Sequence, residues 1–257
     1  MRRLMLAMYM SGAVLAGCSG GTVLEPPGEG SSTGSTALPA APAASPMRAP
    51  TARSSPRSFR YVALGDSYTI GTAIKARNRW PNQLVRALLP DVALELAANL
   101  GINGRTSAQL IEEQLPRLDS LEADFVTVLI GVNDVFQGGD ADTYQANVRT
   151  ILDDLLERLP AKRILVISTP DYTLTPEGAK DGHAASKSAE IAHFNEILHE
   201  EARARGVGWV DISDVADRVP DDPTLVAHDG LHPSGKQYSG WVELIAPVAR
   251  ELLTQDE

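Results

Sequence analysis

The sequence contains a single cysteine and few basic residues, and each shortage excludes a class of protein. Cys18 is the one cysteine among 257 residues, so no intrachain disulfide can form. Lysine and arginine total 23 against 33 aspartates and glutamates, which gives a net charge of -10. Because nucleic-acid binding needs basic side chains to neutralise phosphates, this balance argues against a nucleic-acid partner.

Motifs for cofactors and metals are also missing. The chain has no Gly-x-Gly-x-x-Gly and no Walker loop, so nothing indicates dinucleotide or nucleotide chemistry. It has no His-Glu-x-x-His, and His183, His193 and His199 lack the spacing of metal ligands on one helical face. We therefore expect neither a cofactor nor a metal ion. Residues 59–257 lack Gly-x-Ser-x-Gly, which argues against an α/β-hydrolase nucleophile elbow there.

Residues 1–18 have the pattern of an export signal. Two arginines precede an apolar stretch from Leu4 to Leu15, which is shorter than the roughly 20 residues that span a bilayer. The stretch ends in Leu15-Ala-Gly-Cys18, which resembles the lipobox of bacterial lipoproteins. This resemblance implies that Cys18 becomes the lipidated first residue of an exported, membrane-anchored protein facing the periplasm or the cell exterior. The alternative is an ordinary cleaved signal followed by an incidental cysteine.

Residues 19–58 differ in composition from the rest of the chain. They are rich in Gly, Ser, Thr, Ala and Pro and contain almost no large apolar side chains. Such a stretch cannot bury enough surface to offset the entropy lost on ordering, so we predict a disordered linker. Residues 59–257 remain, a length that fits one domain with a sizeable core. We expect this domain to be a monomer.

Strand-like and helix-like segments alternate along the domain. Residues 125–130 are apolar and rich in β-branched side chains, which is typical of a strand covered on both faces. The next segment carries an apolar stripe with the 3.6-residue period of a helix, formed by Tyr144, Val148, Ile151, Leu152, Leu155, Leu156 and Leu159. The other predicted strands are 59–64, 92–98, 163–168 and 208–212. The other predicted helices are 81–89, 106–118, 186–205 and 235–253, of which the second is broken or ends near Pro116. This alternation predicts an α/β fold, a three-layer α/β/α sandwich around a mainly parallel sheet.

Four polar clusters follow the predicted strands or precede the last helix. They are Gly65-Asp66-Ser67, Asn99–Gly104, Gly131–Asp134 and Asp229–His232. Ligands of such folds bind beyond the carboxyl ends of the strands, so we expect all four clusters to meet at one edge of the sheet. Any one of them alone would be weak evidence, because such sequences also form turns and helix caps. Their convergence predicts an active site.

The last cluster places an acid three residues before a base. One tight turn could direct the Asp229 carboxylate to Nδ1 of His232 and leave Nε2 free to serve a hydroxyl group. Ser67 is the leading candidate for that hydroxyl. Together the three residue types indicate acyl transfer by an activated serine.

The same residues resemble the four sequence blocks of the SGNH hydrolase superfamily, also called GDSL esterases and lipases. The blocks are Gly65-Asp66-Ser67, Gly104, Gly131-Val132-Asn133-Asp134 and Asp229-Gly230-Leu231-His232. They occur in the family's order and span nearly the whole domain. The family's fold is a flavodoxin-like sandwich. Tyr68 stands where the family name expects leucine, and we take this position to lie outside the chemistry.

The resemblance assigns a role to each matching residue. It implies Ser67 as nucleophile, His232 as general base and Asp229 as the acid that orients the base. It further implies an oxyanion hole built from the backbone N–H groups of Ser67 and Gly104 and the side-chain amide of Asn133. The alternative for Ser67 is a structural role as a helix cap.

Neighbouring residues offer alternatives to these assignments. We expect Gly104 to be a glycine because the backbone must approach closely there, and Gly101 could fill that role instead. His228 is a rival base, but its side chain should point away from the acid. Asp66 and Asp134 are expected to form structural hydrogen bonds rather than to act in catalysis.

The sequence says least about the substrate. Residues 169–183 are long for a connection between a strand and a helix, which predicts a wall or lid of the site. In this segment Tyr172 and Leu174 could line an acyl pocket or could pack the loop against the body. We expect a serine esterase that acts on a small-molecule, lipid or sugar ester through an acyl-enzyme on Ser67. A polysaccharide or peptidoglycan O-deacetylase and a non-catalytic, surface-displayed binding protein are the alternatives.

Overall fold

A computed structural model describes residues 57–255, whose centre is a five-stranded sheet. The expected export signal, lipidation site and nearly all of the expected linker lie outside these residues. Arg57 and Ser58, which we placed in the linker, belong to the first strand and pair with the second. The strands are β1 (Arg57–Gly65), β2 (Val92–Asn99), β3 (Phe125–Leu129), β4 (Ile164–Ile167) and β5 (Gly208–Val210).

The five strands are parallel and lie in the order β2-β1-β3-β4-β5. Every residue of β3 and β4 is buried, as their continuous apolar sequences require of strands covered on both faces. The chain leaves β1 toward β2 on one side and returns to β3 on the other. This reversal opens a crevice beyond the carboxyl ends of β1 and β3, where ligands bind in open α/β sheets.

Helices cover both faces of the sheet and complete the predicted sandwich. Helix α2 packs against α8, whereas α5 packs against both α3 and α6. Among the described helices none is long and apolar enough to cross a bilayer. The helices are α1 (Ser67–Ile70), α2 (Trp80–Ala87), α3 (Ser107–Glu113), α4 (Val132–Phe136), α5 (Ala141–Arg158), α6 (Ala184–Arg205), α7 (Ser213–Ala216) and α8 (Gly235–Thr254).

Two elements are shorter than the sequence pattern predicts. The helix expected over 106–118 ends at Glu113 and continues as a 3₁₀ helix from Leu115 to Ser120, because Pro116 cannot donate the hydrogen bond that an α-helix needs. Strand β5 ends at Val210 instead of continuing to Ile212. There the backbone N–H of Ile212 donates to Ser168 Oγ at 2.8 Å, so a side chain replaces the neighbouring strand as its partner.

Candidate active site

The turn between β1 and α1 presents Ser67 at the first position of a helix. Asp66 caps that helix, since its Oδ1 accepts a 2.9 Å hydrogen bond from the backbone N–H of Tyr68. Gly65 lies so close to β3 that a Cβ there would stand 2.3 Å from Leu129 O. The turn therefore demands glycine at this position and carries the buried Asp66 and the nearly buried Ser67 beyond the sheet edge.

A second tight turn holds the acid and the base. The backbone N–H of Ala227 donates to His232 O at 2.7 Å and closes the turn. Inside it, Asp229 Oδ1 accepts from the backbone N–H groups of Leu231 at 3.1 Å and His232 at 3.0 Å. Asp229 Oδ2 lies 2.7 Å from His232 Nδ1. A carboxylate can only accept here, so it fixes the proton of His232 on Nδ1 and leaves Nε2 as an acceptor.

The same contacts set the charge of Asp229. Burial acts to raise the pKa of this carboxyl, but the hydrogen bonds from the backbone and ring of His232 and from the backbone of Leu231 outweigh burial and hold the pKa below its ordinary value. Asp229 is therefore ionised near neutral pH. An ionised carboxylate stabilises the imidazolium that forms whenever His232 takes up a proton at Nε2.

Ser67 and His232 meet in one cavity of about 300 Å³. Asp229 does not line the cavity and stands behind the imidazole. The described side chains include no hydrogen bond between Ser67 and His232, a contact that in other enzymes often tightens only when substrate binds. The lining residues are Ser67, Tyr68, Asn103, Gly104, Val132, Asn133, Phe136, Tyr172, Glu177, Gly178, Asp181, Leu231 and His232.

Two backbone N–H groups are available to an oxyanion in this cavity. Neither the N–H of Ser67 nor that of Gly104 donates a backbone hydrogen bond within the described part of the chain. Gly104 has φ +75°, and a Cβ there would meet no atom within 4 Å. The left-handed backbone at 104 therefore favours glycine, and no described protein atom stands where a Cβ would lie.

The close approach occurs at Gly101 instead. A Cβ on this residue would lie 2.6 Å from Ile70 N and 2.7 Å from Asp66 O. Gly101 thus allows the loop after β2 to pack against the backbone of the nucleophile turn. It does not line the cavity, so it supplies no donor to an oxyanion.

Asn133 lies on α4 and is held by two acceptors. Its Nδ2 donates to Asp66 Oδ2 at 3.2 Å and to Arg105 O at 3.1 Å. Because a backbone carbonyl can only accept, the amide nitrogen and not the amide oxygen of Asn133 must face Arg105 O. Both protons of Nδ2 already have partners, so an oxyanion at this nitrogen must share a proton with one of them.

Two buried carboxyls connect the polar clusters to one another. Asp134 accepts from the backbone N–H and the hydroxyl of Ser107, the latter at 2.5 Å, and so fixes the start of α3. Burial raises the pKa of Asp134, and burial raises the pKa of Asp66 to about 7 despite the hydrogen bonds from Tyr68 and Asn133. Both residues act as hydrogen-bond acceptors that position the loops of the site.

The loop at residues 169–183 forms one wall of the cavity, as its length predicts. Tyr172 lines the cavity, whereas Leu174 does not. Both lie on one 3₁₀ helix, which has three residues per turn. Because Leu174 is two positions after Tyr172, its side chain is rotated by two thirds of a turn and points to a different side of the helix. Glu177 also lines the cavity, and its backbone N–H donates to Gly230 O at 3.0 Å. The wall is thereby hydrogen bonded to the turn that carries Asp229 and His232.

The cavity also contains residues that the sequence motifs did not reveal. Asn103, Phe136, Glu177 and Asp181 line it without belonging to a matching block. Asn103 belongs to the polar cluster Asn99–Gly104, and Glu177 and Asp181 belong to the segment 169–183 that was expected to form a wall. The clue for Phe136 is that it follows Asn133 by three residues on a helix, and such residues share a face.

Tyr68 is closer to the chemistry than we expected. It lines the cavity, and its ring centroid lies 5.6 Å from that of His232. The ring centroid of Tyr68 also lies 6.3 Å from that of Trp241. Tyr68 therefore packs its aromatic ring near the imidazole of His232. The leucine expected from the family name has no aromatic ring to place there.

The remaining histidines lie outside this cavity. His228 is exposed and does not line it, and His199 stacks on Trp209 with 5.0 Å between ring centroids. Within residues 57–255, no group of three or more His, Cys, Asp and Glu side chains is placed to hold a metal ion.

A flavodoxin-like sheet with Ser67, His232 and Asp229 at its carboxyl edge defines an SGNH-type ester hydrolase. The family model described as the GDSL-like Lipase/Acylhydrolase family matches residues 63–239. The chain belongs to this family.

Three relatives illustrate the similarity. A GDSL lipase of Mycobacterium tuberculosis (strain ATCC 25618 / H37Rv) is 28% identical over 217 residues, covering 75% of this chain and 87% of the relative. A variant of an acetyl xylan esterase from Geobacillus stearothermophilus superposes with a TM-score of 0.60 at 18% identity, covering 76% of this chain and 97% of that one. A member of the lipolytic G-D-S-L family from Veillonella parvula DSM 2008 gives 0.59 at 15% identity, covering 77% and 99%. Further structures of the Geobacillus esterase are of catalytic mutants changed at a serine, an aspartate and a histidine.

Proposed function

We propose that this protein hydrolyses carboxylic acyl esters through an acyl-enzyme on Ser67. The observation that carries the proposal is the 2.7 Å contact between Asp229 Oδ2 and His232 Nδ1 beside a cavity that Ser67 also lines. This contact leaves His232 Nε2 able to accept a proton. A serine hydroxyl is a weak nucleophile near neutral pH and needs such a base within reach.

The reaction then proceeds in two acyl transfers. His232 Nε2 takes the proton from Ser67 Oγ as the oxygen forms a bond to the ester carbonyl carbon. The tetrahedral intermediate collapses when the bond to the alcohol oxygen breaks, and the proton on His232 passes to the departing alcohol. Water then repeats the sequence on the acyl-enzyme, giving a carboxylic acid and free Ser67.

The negative oxygen of each intermediate needs donors that are already in place. The unpaired N–H groups of Ser67 and Gly104 provide two, and Asn133 provides a third by sharing a proton of Nδ2. In related chemistry the loss of one such donor costs about 2.7 to 4 kcal/mol in activation free energy. The reaction uses side chains and backbone alone and calls for no cofactor.

The relatives support this proposal and one alternative within it. A lipase and an acetyl xylan esterase are both ester hydrolases, and the catalytic mutants of the latter involve the residue types Ser, Asp and His. An O-deacetylase acting on a polysaccharide or peptidoglycan would use the same residues. A non-catalytic binding protein would have no need for an oriented base beside a serine.

The test is covalent labelling of the full-length protein by a fluorophosphonate probe, which reacts with activated serines. We expect labelling of the wild type, loss of labelling in Ser67→Ala and retention in Ser239→Ala, an exposed serine on α8. Hydrolysis of p-nitrophenyl butyrate should follow the same pattern. Labelling that persists in Ser67→Ala would sink the proposal.

We also propose that the protein is exported and anchored to a membrane through a lipid on Cys18. The support is the Leu15-Ala-Gly-Cys18 sequence after a short apolar stretch with two preceding arginines. Cys18→Ser should move the protein from the membrane fraction to the soluble fraction of the expressing bacterium. An unchanged distribution between the fractions rejects the anchor.

A further inference from the structure

We propose that Phe136 selects the acyl group, and that the enzyme prefers neutral aliphatic acyl chains of about four to eight carbons over acetyl. This inference rests on the proposed function, because it assigns a substrate class to the same cavity. It separates two kinds of ester hydrolase that share the catalytic residues, those that remove acetyl groups and those that cleave longer acyl esters.

The first observation is a largely exposed apolar side chain at the cavity. Phe136 is 63% exposed and lines the cavity. Leu89, at 53%, is the other large hydrophobic side chain exposed to this degree among the described residues, and it does not line the cavity. Isolated exposed apolar residues are common, so the position of Phe136 beside Ser67 carries the argument and its exposure only shows that the surface is free.

The second observation is the distance from the oxyanion site. Asn133 and Phe136 are three residues apart on α4, so they share a face with Cβ atoms about 5 to 6 Å apart. The carbonyl of a bound ester must lie at the oxyanion donors. An acetyl group ends about 1.5 Å beyond its carbonyl carbon, whereas a chain with several more carbons extends across this gap to Phe136.

The third observation is the fixed wall opposite Phe136. Tyr172 is buried, and its ring lies 5.8 Å from that of Phe136 at an angle of 75°. Val132 and Leu231 add aliphatic surface to the same cavity. A flexible acyl chain can bury its methylenes against the surface that these side chains form together, and each methylene removed from water favours binding.

The charges around the cavity define the chemistry of the chain. Apart from His232, the acidic and basic side chains at its lining are Glu177 and Asp181, and both are acidic. No lysine or arginine is among the lining residues, and Lys180 is paired with Glu177. A negatively charged acyl group would be repelled, so the preferred chain is neutral.

The experiment compares p-nitrophenyl acetate, butyrate and octanoate as substrates of the full-length protein. We expect kcat/KM of the wild type to be higher for butyrate and octanoate than for acetate, by about fourfold for each methylene that reaches the aromatic surface. Phe136→Ala should lower the octanoate-to-acetate ratio of kcat/KM by about tenfold or more. Phe136→Leu should keep most of the ratio, and the control Leu89→Ala should leave it unchanged.

Each outcome bears on one of the two proposals. A wild type that prefers acetate, or a ratio that is unchanged in Phe136→Ala, overturns the inference while Ser67-dependent labelling leaves the esterase proposal intact. Turnover that persists in Ser67→Ala overturns the esterase proposal itself. Because Phe136 is largely exposed, its replacement should not impair folding, and equal circular dichroism spectra of the variants would verify this.

Discussion

Asp66 Oδ2 accepts a 3.2 Å hydrogen bond from Asn133 Nδ2 while Asp66 Oδ1 caps the helix that begins with Ser67. One buried carboxyl therefore positions both the turn that carries Ser67 and the side-chain amide of Asn133. The coupling explains why an acidic residue is tolerated in a place where its own charge is costly. The cost of burying this charge predicts a pH-dependent stability, and the hydrogen bond to Asn133 directs attention to the role of that amide.

The ionisation of Asp66 should make stability depend on pH. Burial raises the pKa of Asp66 to about 7, above its value in the unfolded chain, so the folded state binds a proton more tightly. Stability from this group is fully present below about pH 4 and is lost as the pH rises through 7. Between pH 4 and 8, the free energy of unfolding of the wild type should fall by up to about 4 kcal/mol more than that of Asp66→Asn. Urea unfolding at several pH values measures both, and parallel curves would contradict the prediction.

The donor role of Asn133 should appear in kcat. Asn133→Ala removes an interaction that forms only with the oxyanion, so kcat should fall by about 10²-fold with little change in KM. We expect the low end of the usual range because both protons of Nδ2 are already hydrogen bonded. Gln137→Ala removes an amide that bonds to Gly104 O and does not line the cavity, and it should cost less than about tenfold. Equal losses in the two variants would argue against a direct role for Asn133.

Losing the orientation of His232 by Asp229 should lower kcat/KM by more than the loss of one hydrogen bond would. Asp229→Asn places an amide N–H opposite Nδ1, which forces the proton to Nε2 and leaves no acceptor for the serine proton. We expect kcat/KM for p-nitrophenyl butyrate to fall by about 10³ to 10⁴-fold with the fold intact. Asp222→Asn, which changes an aspartate that caps Thr224 and pairs with Lys236, serves as the control. Full activity of Asp229→Asn would refute the assigned role.

The glycines at 101 and 104 should respond differently to alanine. Gly104→Ala meets no neighbour but must hold a left-handed backbone, which costs about 1 to 2 kcal/mol. Gly101→Ala drives a methyl group into the backbone atoms Ile70 N and Asp66 O, so it should cost at least about 2 kcal/mol and disturb Ser67. Thermal unfolding of the two variants measures the loss of stability caused by each substitution. A milder effect at 101 than at 104 would show that the loop after β2 can move away.

Much of this architecture could be predicted from local sequence. The strands β3 and β4 are apolar throughout because they are buried on both faces, and the stripe on α5 has the helical period. The convergence of the polar clusters followed from the rule that ligands bind beyond the strand ends. Pro116 predicted a break in the helix over 106–118, and α3 gives way to a 3₁₀ helix just before it.

The residues that could not be predicted depend on contacts between distant segments. Asp66 meets Asn133 only after β1 and β3 pair, and Glu177 meets Gly230 only after the loop folds against the last turn. No pattern along the chain encodes such pairs. Phe136 is the last residue of the short helix α4, and its significance came from the cavity that it lines.

The hydrogen bond from Glu177 to Gly230 limits how the substrate range of this enzyme can be changed. A Cβ at Gly230 would lie 2.9 Å from Glu177 Cγ, so the two segments are already in contact. Mutant libraries that vary the loop at 177 would shift the base along with the wall and lose turnover together with selectivity. Libraries at Phe136, which lies on α4 and outside this contact, can alter acyl choice while the orientation of His232 is preserved.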